Sequence, residues 1–421
     1  RFKKFIILLL VPFVLLVLSY LIYQIFVVPS PEIFGIEGFR LLPEEKEVSF
    51  TVKNAREVEV SISQGIKSVP LLRAEQDISE KTYSLKVKPR SLGLNEGKAV
   101  VILKARGGWF RKTDLSQDAL IDTVPPKLSL IHSPSVLRQG MAGVVLLKAT
   151  GADDVYVKNN DRVFKGYPLQ ENNNEYIVMV GASYDQPIKS PFYAISEDAA
   201  GNRSVKTLPT LVKIGKHKQS RINISDDFLR RVILPLTNTE PDGDLVKAFR
   251  EVNEAWREKD AEKLREICSG SKGEKLWNGR FLQLKNSKVM AVYGDKREYL
   301  YSGKVISRSV HLGYDLASVS HADVEAANGG IIKYAGELGI YGNTVIIDHG
   351  FGLMSLYGHL SEIDVQEGQE VKKGEIIAKT GSTGLAGGDH LHFGVLVNGV
   401  EVSPIYWWDG RWIERNIERY L

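Results

Sequence analysis

Between His311 and Pro404 the sequence gathers six of the chain's eight histidines into a stretch punctuated by glycine and rich in β-branched residues. Three phrases carry the chemistry: His311-Leu-Gly-Tyr-Asp315, Tyr357-Gly-His359-Leu360, and Asp389-His390-Leu-His392-Phe393. In an extended strand successive side chains alternate between faces, so His390 and His392, two apart, project towards one point. His311 and Asp315 are four apart, a spacing that a helix would also bring together. Gly313 between them and the β-rich surroundings favour an extended or looped segment instead, and the even spacing still lets both reach one site. This part of the chain is therefore constrained to strands that present imidazole and carboxylate from one face.

Imidazole nitrogen with carboxylate oxygen is a donor set that zinc takes well, and three protein ligands leave a fourth tetrahedral position for water. A closed structural site would normally use four ligands, several of them thiolates. The chain has a single cysteine, Cys268, far from these phrases. Histidines beyond the three ligands are candidates for proton transfer, because imidazole titrates near neutral pH.

At these residues the sequence resembles the lysostaphin-type (LytM-like) zinc metallopeptidases, which cut peptide bonds in bacterial peptidoglycan. The family pattern is His-x-x-x-Asp followed by His-x-His. Carried over residue by residue, it implies Zn2+ as cofactor with His311, Asp315 and His392 as ligands, and His390 and His359 as the two catalytic histidines that do not bind metal. The resemblance spans roughly 286–404 and includes Tyr293-Gly-Asp295, Tyr341-Gly-Asn343-Thr-Val345 and Gly381-Ser-Thr-Gly384. It departs at Asp389, where the family often has proline, and at Gly394, where an acidic residue is common; both bear on what surrounds the ligands. His349 is expected to support the site rather than react. His132, His217 and His321 are expected to be surface or satisfied core residues.

The N-terminus sets the expected compartment. Phe5 to Val28 is a 24-residue, nearly continuous apolar run, which as a helix is roughly 36 Å long, enough to cross a bilayer with some tilt. Arg1, Lys3 and Lys4 precede it and Pro29-Ser-Pro31-Glu32 follows, so the positive-inside rule puts the tip in the cytoplasm and the remainder outside. A cleaved signal peptide would need a small-x-small site before Pro29, which is missing, so an uncleaved anchor is expected. Pro12 is tolerated within such a span. With one cysteine there is no intrachain disulfide to expect. A net charge of +4 over 421 residues, with no dense basic run, argues against nucleic acid as a partner.

The predicted architecture is mainly β. After the cytoplasmic tip and transmembrane helix (1–28) come two β-sandwich-like domains, 32–124 and 125–215, read from period-two runs such as Val48-Ser-Phe50-Thr-Val52 and Val58-Glu-Val60-Ser-Ile62. Pro125-Pro126 divides them. The second ends on a strand-to-turn phrase, Phe192 to Asn202, that resembles bacterial Ig-like repeats, and both domains are read as spacers. A helical segment, 225–270, follows. Leu245, Phe249, Val252 and Trp256 share one face of it, Asp242 or Asp244 serves as N-cap, and an earlier helix is interrupted at Pro235. This segment reads equally as a linker or as a lid. The C-terminal antiparallel β LytM-type peptidase domain covers 281–408, and 409–421 form a tail that packs.

The function expected from the resemblance is zinc-dependent hydrolysis of peptidoglycan peptide crosslinks. Its substrate would be stem peptides, its location a single-pass inner-membrane protein facing the periplasm, and divisome or elongation proteins its candidate partners. A different reading, from degenerate relatives that lack ligands, is a non-catalytic module that activates cell-wall amidases. A third is a lipoyl- or biotin-carrier barrel, suggested by glycines spaced through Val365 to Ile377. The hairpin there, Val371-Lys-Lys-Gly374, lacks a carrier's acidic-Lys-apolar tip, and a carrier has no use for the histidines.

Overall fold

The structure is a computed structural model that describes residues 2–108, 111–169, 174–237, 240 and 243–421, and for residues 2–10, 24 and 25 the backbone alone. Arg1 and Asp242, both assigned roles above, lie outside the described residues. The chain forms two compact units, one of residues 1–126 with 197–203 and one of 127–196 with 204–421.

In the first unit the N-terminal apolar run is one α-helix, α1 (Phe2–Phe26), with Pro12 inside it. Among the described residues no helix is long and apolar enough to cross a membrane. The rest is a six-stranded sheet, with the long strands Lys46–Gln64 and Lys67–Val87 paired antiparallel. Its core comes from alternation, since Val48, Phe50, Val52, Val58, Val60 and Ile62 are all buried. Between the two runs the register shifts at Ala55–Glu57, beside Asn54 at φ 56°. This is a bulge, and it places Ala55 on the buried side as well.

The second unit opens with a seven-stranded sheet and a parallel pair, Val136–Arg138 with Leu211–Lys213. The strand Glu175–Gly181 has both faces covered, with Ile177, Val178, Met179 and Val180 all buried. One side meets the C-terminal region directly: Asn398 Nδ2 donates to the Met179 carbonyl (3.0 Å), Ser403 N to Gly140 O (2.8 Å), and a Cβ on Gly181 would meet Val402 at 3.0 Å. The sheet read as a spacer thus shares a hydrophobic core with the domain that follows it.

That domain is built on strands β1 (Gln219–Asn223), β2 (Lys288–Ala291), β3 (Asp295–Tyr301), β4 (Lys304–His311), β5 (Tyr314–Ala317), β6 (Gly330–Leu338), β7 (Gly342–Gly350), β8 (Leu353–Leu360), β9 (Glu370–Val371), β10 (Leu391–Val397) and β11 (Val400–Val402). The main sheet runs β2-β5-β10-β8-β7-β6-β9 with β11 on β10, all antiparallel; β1-β3-β4 form a separate three-stranded sheet. Alternation divides the main sheet's faces. Leu391, Phe393, Val395 and Val397 enter the core shared with the second sheet, and Leu396 turns the other way with Ile346, Met354 and Leu356.

The helical segment covers that other face. Val252, Leu264, Ile267 and Cys268 pack with Ile346, Met354, Leu356 and Leu396, so the segment buttresses the sheet. Asp244 is the N-cap, accepting from Lys247 N (2.9 Å). Of the expected stripe, Phe249 and Val252 are fully buried, while Leu245 and Trp256 are partly so. Pro235 does not interrupt the first helix: Leu234–Thr237 stays helical, and the preceding turn, Leu229–Ile233, is a π-turn that accommodates the missing N–H. At the C-terminus Asp409 caps Gly410–Asn416, and Ile413 and Ile417 are buried in the shared core.

Burial pushes the Cys268 thiol up to about 12, with Glu401 and Asp348 adding to the effect. The nucleophile is the thiolate, so Cys268 should be inert in the folded chain. Ellman's reagent at about pH 8 is expected to titrate no thiol until denaturant is added and one thereafter; rapid labelling of the native protein would contradict this burial.

Candidate metal centre

The centre is assembled across strand register. Asp315 on β5 and His392 on β10 are direct cross-strand partners, and Gly358 on β8 flanks His392 from the other side. His311 ends β4, and the turn Leu312-Gly313 returns the chain so that Asp315 lies beside it. Gly313 is required by close approach, because a Cβ there would fall 2.5 Å from His392 Nε2. His311 Nε2 lies 2.8 Å from Asp315 Oδ1 and 3.1 Å from His392 Nδ1, and His392 Nδ1 lies 3.1 Å from the same Oδ1. These three side chains could hold a metal ion.

The donor chemistry fits one. His311 Nδ1 faces the Val292 carbonyl at 3.0 Å. A carbonyl can only accept, so that nitrogen carries the proton and Nε2 presents a lone pair. A lone pair, a carboxylate oxygen and a second imidazole nitrogen this close repel one another unless a proton or cation lies among them. Two nitrogens and one oxygen suit zinc, and Cys268 lies elsewhere, in the core under the helical segment.

The two further imidazoles stand at the same place. His390 Nε2 is 3.6 Å from Asp315 Oδ1, and the His359 ring lies 4.8 Å from that of His390 and 5.8 Å from that of His392. Each has its Nδ1 committed to a carbonyl, His390 to Gly388 O and His359 to Thr383 O, both at 2.8 Å. Each therefore offers Nε2 as the free acceptor. His359 is held at φ 62°, a conformation uncommon outside glycine, at the end of β8.

Residues 309–404 match peptidase family M23. The chain carries a peptidase family M23 domain at its C-terminus. Among relatives, a DD-carboxypeptidase/endopeptidase Mpg of Neisseria meningitidis serogroup B is 42% identical over 96 residues, 23% of this chain and 22% of that protein. The peptidoglycan DD-endopeptidase ShyB of Vibrio cholerae serotype O1 is 32% identical over 137 residues, 32% of each protein. The murein hydrolase activator NlpD of Salmonella dublin is 38% identical over 109 residues, 24% of this chain and 29% of that one. The chain thus spans between about a fifth and a third of the length of these curated relatives.

Within the M23 domain the electrostatics separate the groups. Burial works against the Asp315 carboxylate, yet His311, His390 and His392 hold its pKa well below the usual range. Burial depresses His392 to about 4 and, with the neighbouring His390 and His392, depresses His359 to about 3. For His390 burial is again opposed by Asp315, and here the carboxylate prevails and the pKa rises. His359 is accordingly a neutral ring at physiological pH, and His390 is the one poised to take a proton.

The remaining histidines are placed elsewhere. His132 stacks on Tyr420 at 3.9 Å, His217 contacts Gln139 Oε1 at 3.3 Å, and His321 contacts Ser361 Oγ at 3.0 Å. Asp389, at the departure from the family pattern, accepts from Thr380 Oγ1 (2.7 Å) and from His321 N (3.1 Å), pinning the turn that delivers His390. Gly394 lies against the Leu356 side chain. Sequence reasoning missed Arg297, whose Nη2 lies 3.3 Å from Asp315 Oδ2. Its only signal was a place two residues beyond Tyr293-Gly-Asp295.

His349 is fully buried, with Nδ1 donating to Gly329 O (2.6 Å) and Nε2 bonded to Ser355 Oγ (2.7 Å). Burial pushes its pKa down to about 4. The unfolded chain takes up a proton near pH 6.5 and the folded chain does not. This group's stabilising effect is therefore complete above about pH 6.5 and is lost as pH falls towards 4, by at most about 3 kcal/mol. In urea unfolding with a chelator present, the stability gap between wild type and His349→Gln should narrow between about pH 7 and pH 4.5; a constant gap would contradict a buried neutral ring.

Proposed function

We propose that this chain is a zinc-dependent endopeptidase that hydrolyses peptide crosslinks of bacterial peptidoglycan, with His311, Asp315 and His392 as metal ligands. The observation that carries the reading is the convergence of His311 Nε2, Asp315 Oδ1 and His392 Nδ1, with two more imidazoles aimed at the same point through free Nε2 atoms. When bound, zinc would polarise the scissile carbonyl and make water acidic enough to attack at neutral pH. His390 Nε2 accepts the proton of the attacking water and returns it to the leaving amine nitrogen as the C–N bond breaks. His359, whose Nδ1–H is held by Thr383 O, stabilises the oxyanion or serves the leaving nitrogen only through a proton gained at Nε2, and its acceptor Nε2 lets the two histidines exchange these parts. DD-crosslinks between D-alanine and a diamino acid are the proposed substrate, a choice supported by the names of the Neisseria and Vibrio relatives.

The alternative is a binding module that activates amidases, a role named for the Salmonella relative. The presence of all five site residues favours catalysis. His311→Ala, Asp315→Ala and His392→Ala should each lose zinc, because one missing ligand of three disrupts both geometry and charge balance. His390→Ala and His359→Ala should keep about one zinc per chain and lose on the order of a hundredfold or more in turnover. Zinc content and crosslink hydrolysis measured side by side decide the matter. Loss of zinc from His390→Ala with retention in His392→Ala would reverse the ligand assignment. A zinc-loaded wild type that stimulates an amidase but cuts no muropeptide would establish the activator.

We further propose that α1 anchors the chain in the inner membrane with the M23 domain in the periplasm, near divisome or elongation proteins. The support is the apolar run Phe5 to Val28 with lysines before it. An alkaline phosphatase fusion after Pro31 should be active, and a cytoplasmic reporter fused there should not. The opposite pattern would overturn this topology.

A further inference from the structure

We infer that Arg297, outside the residues matched to the family, is a positioning residue that reserves one oxygen of Asp315 and so presents the other, singly, to the metal. This inference rests on the ligand assignment proposed above.

Arg297 lies on β3, in a sheet whose other two strands are β1 and β4. Across that sheet Asp295 is the register partner of His311 and Arg297 that of Ser309, so Asp295, Arg297 and His311 point to one side. Only 15% of the Arg297 side chain is exposed. Its guanidinium lies between two carboxylates, Nη2 at 3.3 Å from Asp315 Oδ2 and Nε at 3.4 Å from Asp295 Oδ2. Asp295 is itself buried, and its Oδ1 accepts from Ser220 Oγ on β1 at 2.7 Å. An unbroken row thus runs from Ser220 through Asp295 and Arg297 to Asp315.

The consequence concerns carboxylate geometry. Oδ1 of Asp315 faces all three imidazoles, at 2.8 Å to His311, 3.1 Å to His392 and 3.6 Å to His390. Oδ2 faces the guanidinium. A carboxylate with both oxygens free can swing to bind a metal through two atoms and occupy the position that water needs. Holding Oδ2 prevents this, as hydrogen bonds around a metal site commonly orient its ligands. A flat guanidinium suits the task, because its N–H groups bridge two carboxylates at fixed angles while a lysine ammonium is a point charge. A buried arginine is costly unless paired, and here the pairing also counters two buried negative charges.

The test uses the full chain. Zinc affinity is measured by competition with a fluorescent chelator, and ligand geometry by the visible absorption of the cobalt-substituted protein. Arg297→Ala should bind zinc about 10- to 100-fold more weakly, the usual effect of losing such a hydrogen bond, and should show an altered cobalt spectrum. Arg297→Lys should recover part of the affinity but not the spectrum. Arg308→Ala, which breaks only the exposed pair with Glu298 on the opposite side of β3, should match wild type in both. If Arg297→Ala does not fold, Arg297→Lys and Asp295→Asn carry the measurement, each with an altered cobalt spectrum expected. Zinc affinity within twofold of wild type and an unchanged cobalt spectrum in the folded Arg297 variants would overturn the positioning role alone. A wild-type chain that takes up no zinc would overturn the metal reading and this inference with it.

Discussion

A carboxylate largely buried among three imidazoles, as Asp315 is, persists only where its charge is answered, since removing an ion from water without a partner costs several kcal/mol or more. Much of the M23 domain's local structure follows from that demand. Register between β5 and β10 sets Asp315 opposite His392, and Gly313 lets the turn after His311 approach the His392 ring. The Val292 carbonyl then fixes which nitrogen of His311 faces the acid. The charge is answered twice, by the imidazoles at Oδ1 and by Arg297 at Oδ2.

What was legible in the sequence was whatever local periodicity encodes. Alternation marked Val48 to Val52 and Val58 to Ile62 as half-buried strand, and both runs are buried every second residue. The Asp-capped helix over the Leu245, Phe249 and Val252 stripe was readable for the same reason. Pro235 misled because a π-turn can absorb a missing donor without ending the helix, and nothing in the residues themselves announces that turn. For the site, the spacings His311/Asp315 and His390/His392 and the family resemblance named five side chains, and the structure brings all five together. Arg297 could not be found this way. It depends on register between β3 and β4, a long-range property of the fold, and its own neighbours in sequence look like any charged strand.

The relation between the second sheet and the M23 domain was hidden for a similar reason. Tyr176 to Gly181 reads as a short apolar run, and such a run cannot say whether both faces are covered by its own domain or one by another. Here the second face meets β10 and β11 through Met179, Gly181, Asn398 and Val402. A sheet that shares its core with the M23 domain is a structural part of it, which a detached spacer is not.

The helical segment bears on function through the face it covers. On β10, His392 alternates into the same face as Leu396, and Leu396 lies under Val252, Leu264 and Ile267. The candidate metal centre therefore sits on the face that carries the helices, and these contact the structures around it. Asp260 accepts from Ile340 N (2.8 Å), fixing the turn whose Tyr341 ring lies 5.3 Å from His392. Leu385, in the glycine-rich stretch before His390, packs against the same helices. The five site residues lie within the matched M23 residues, while their surroundings are set in part by residues 226–267, outside that match. Two chains with the same five site residues can therefore differ in the walls around them, because the surroundings of the site are supplied by segments the motif does not include.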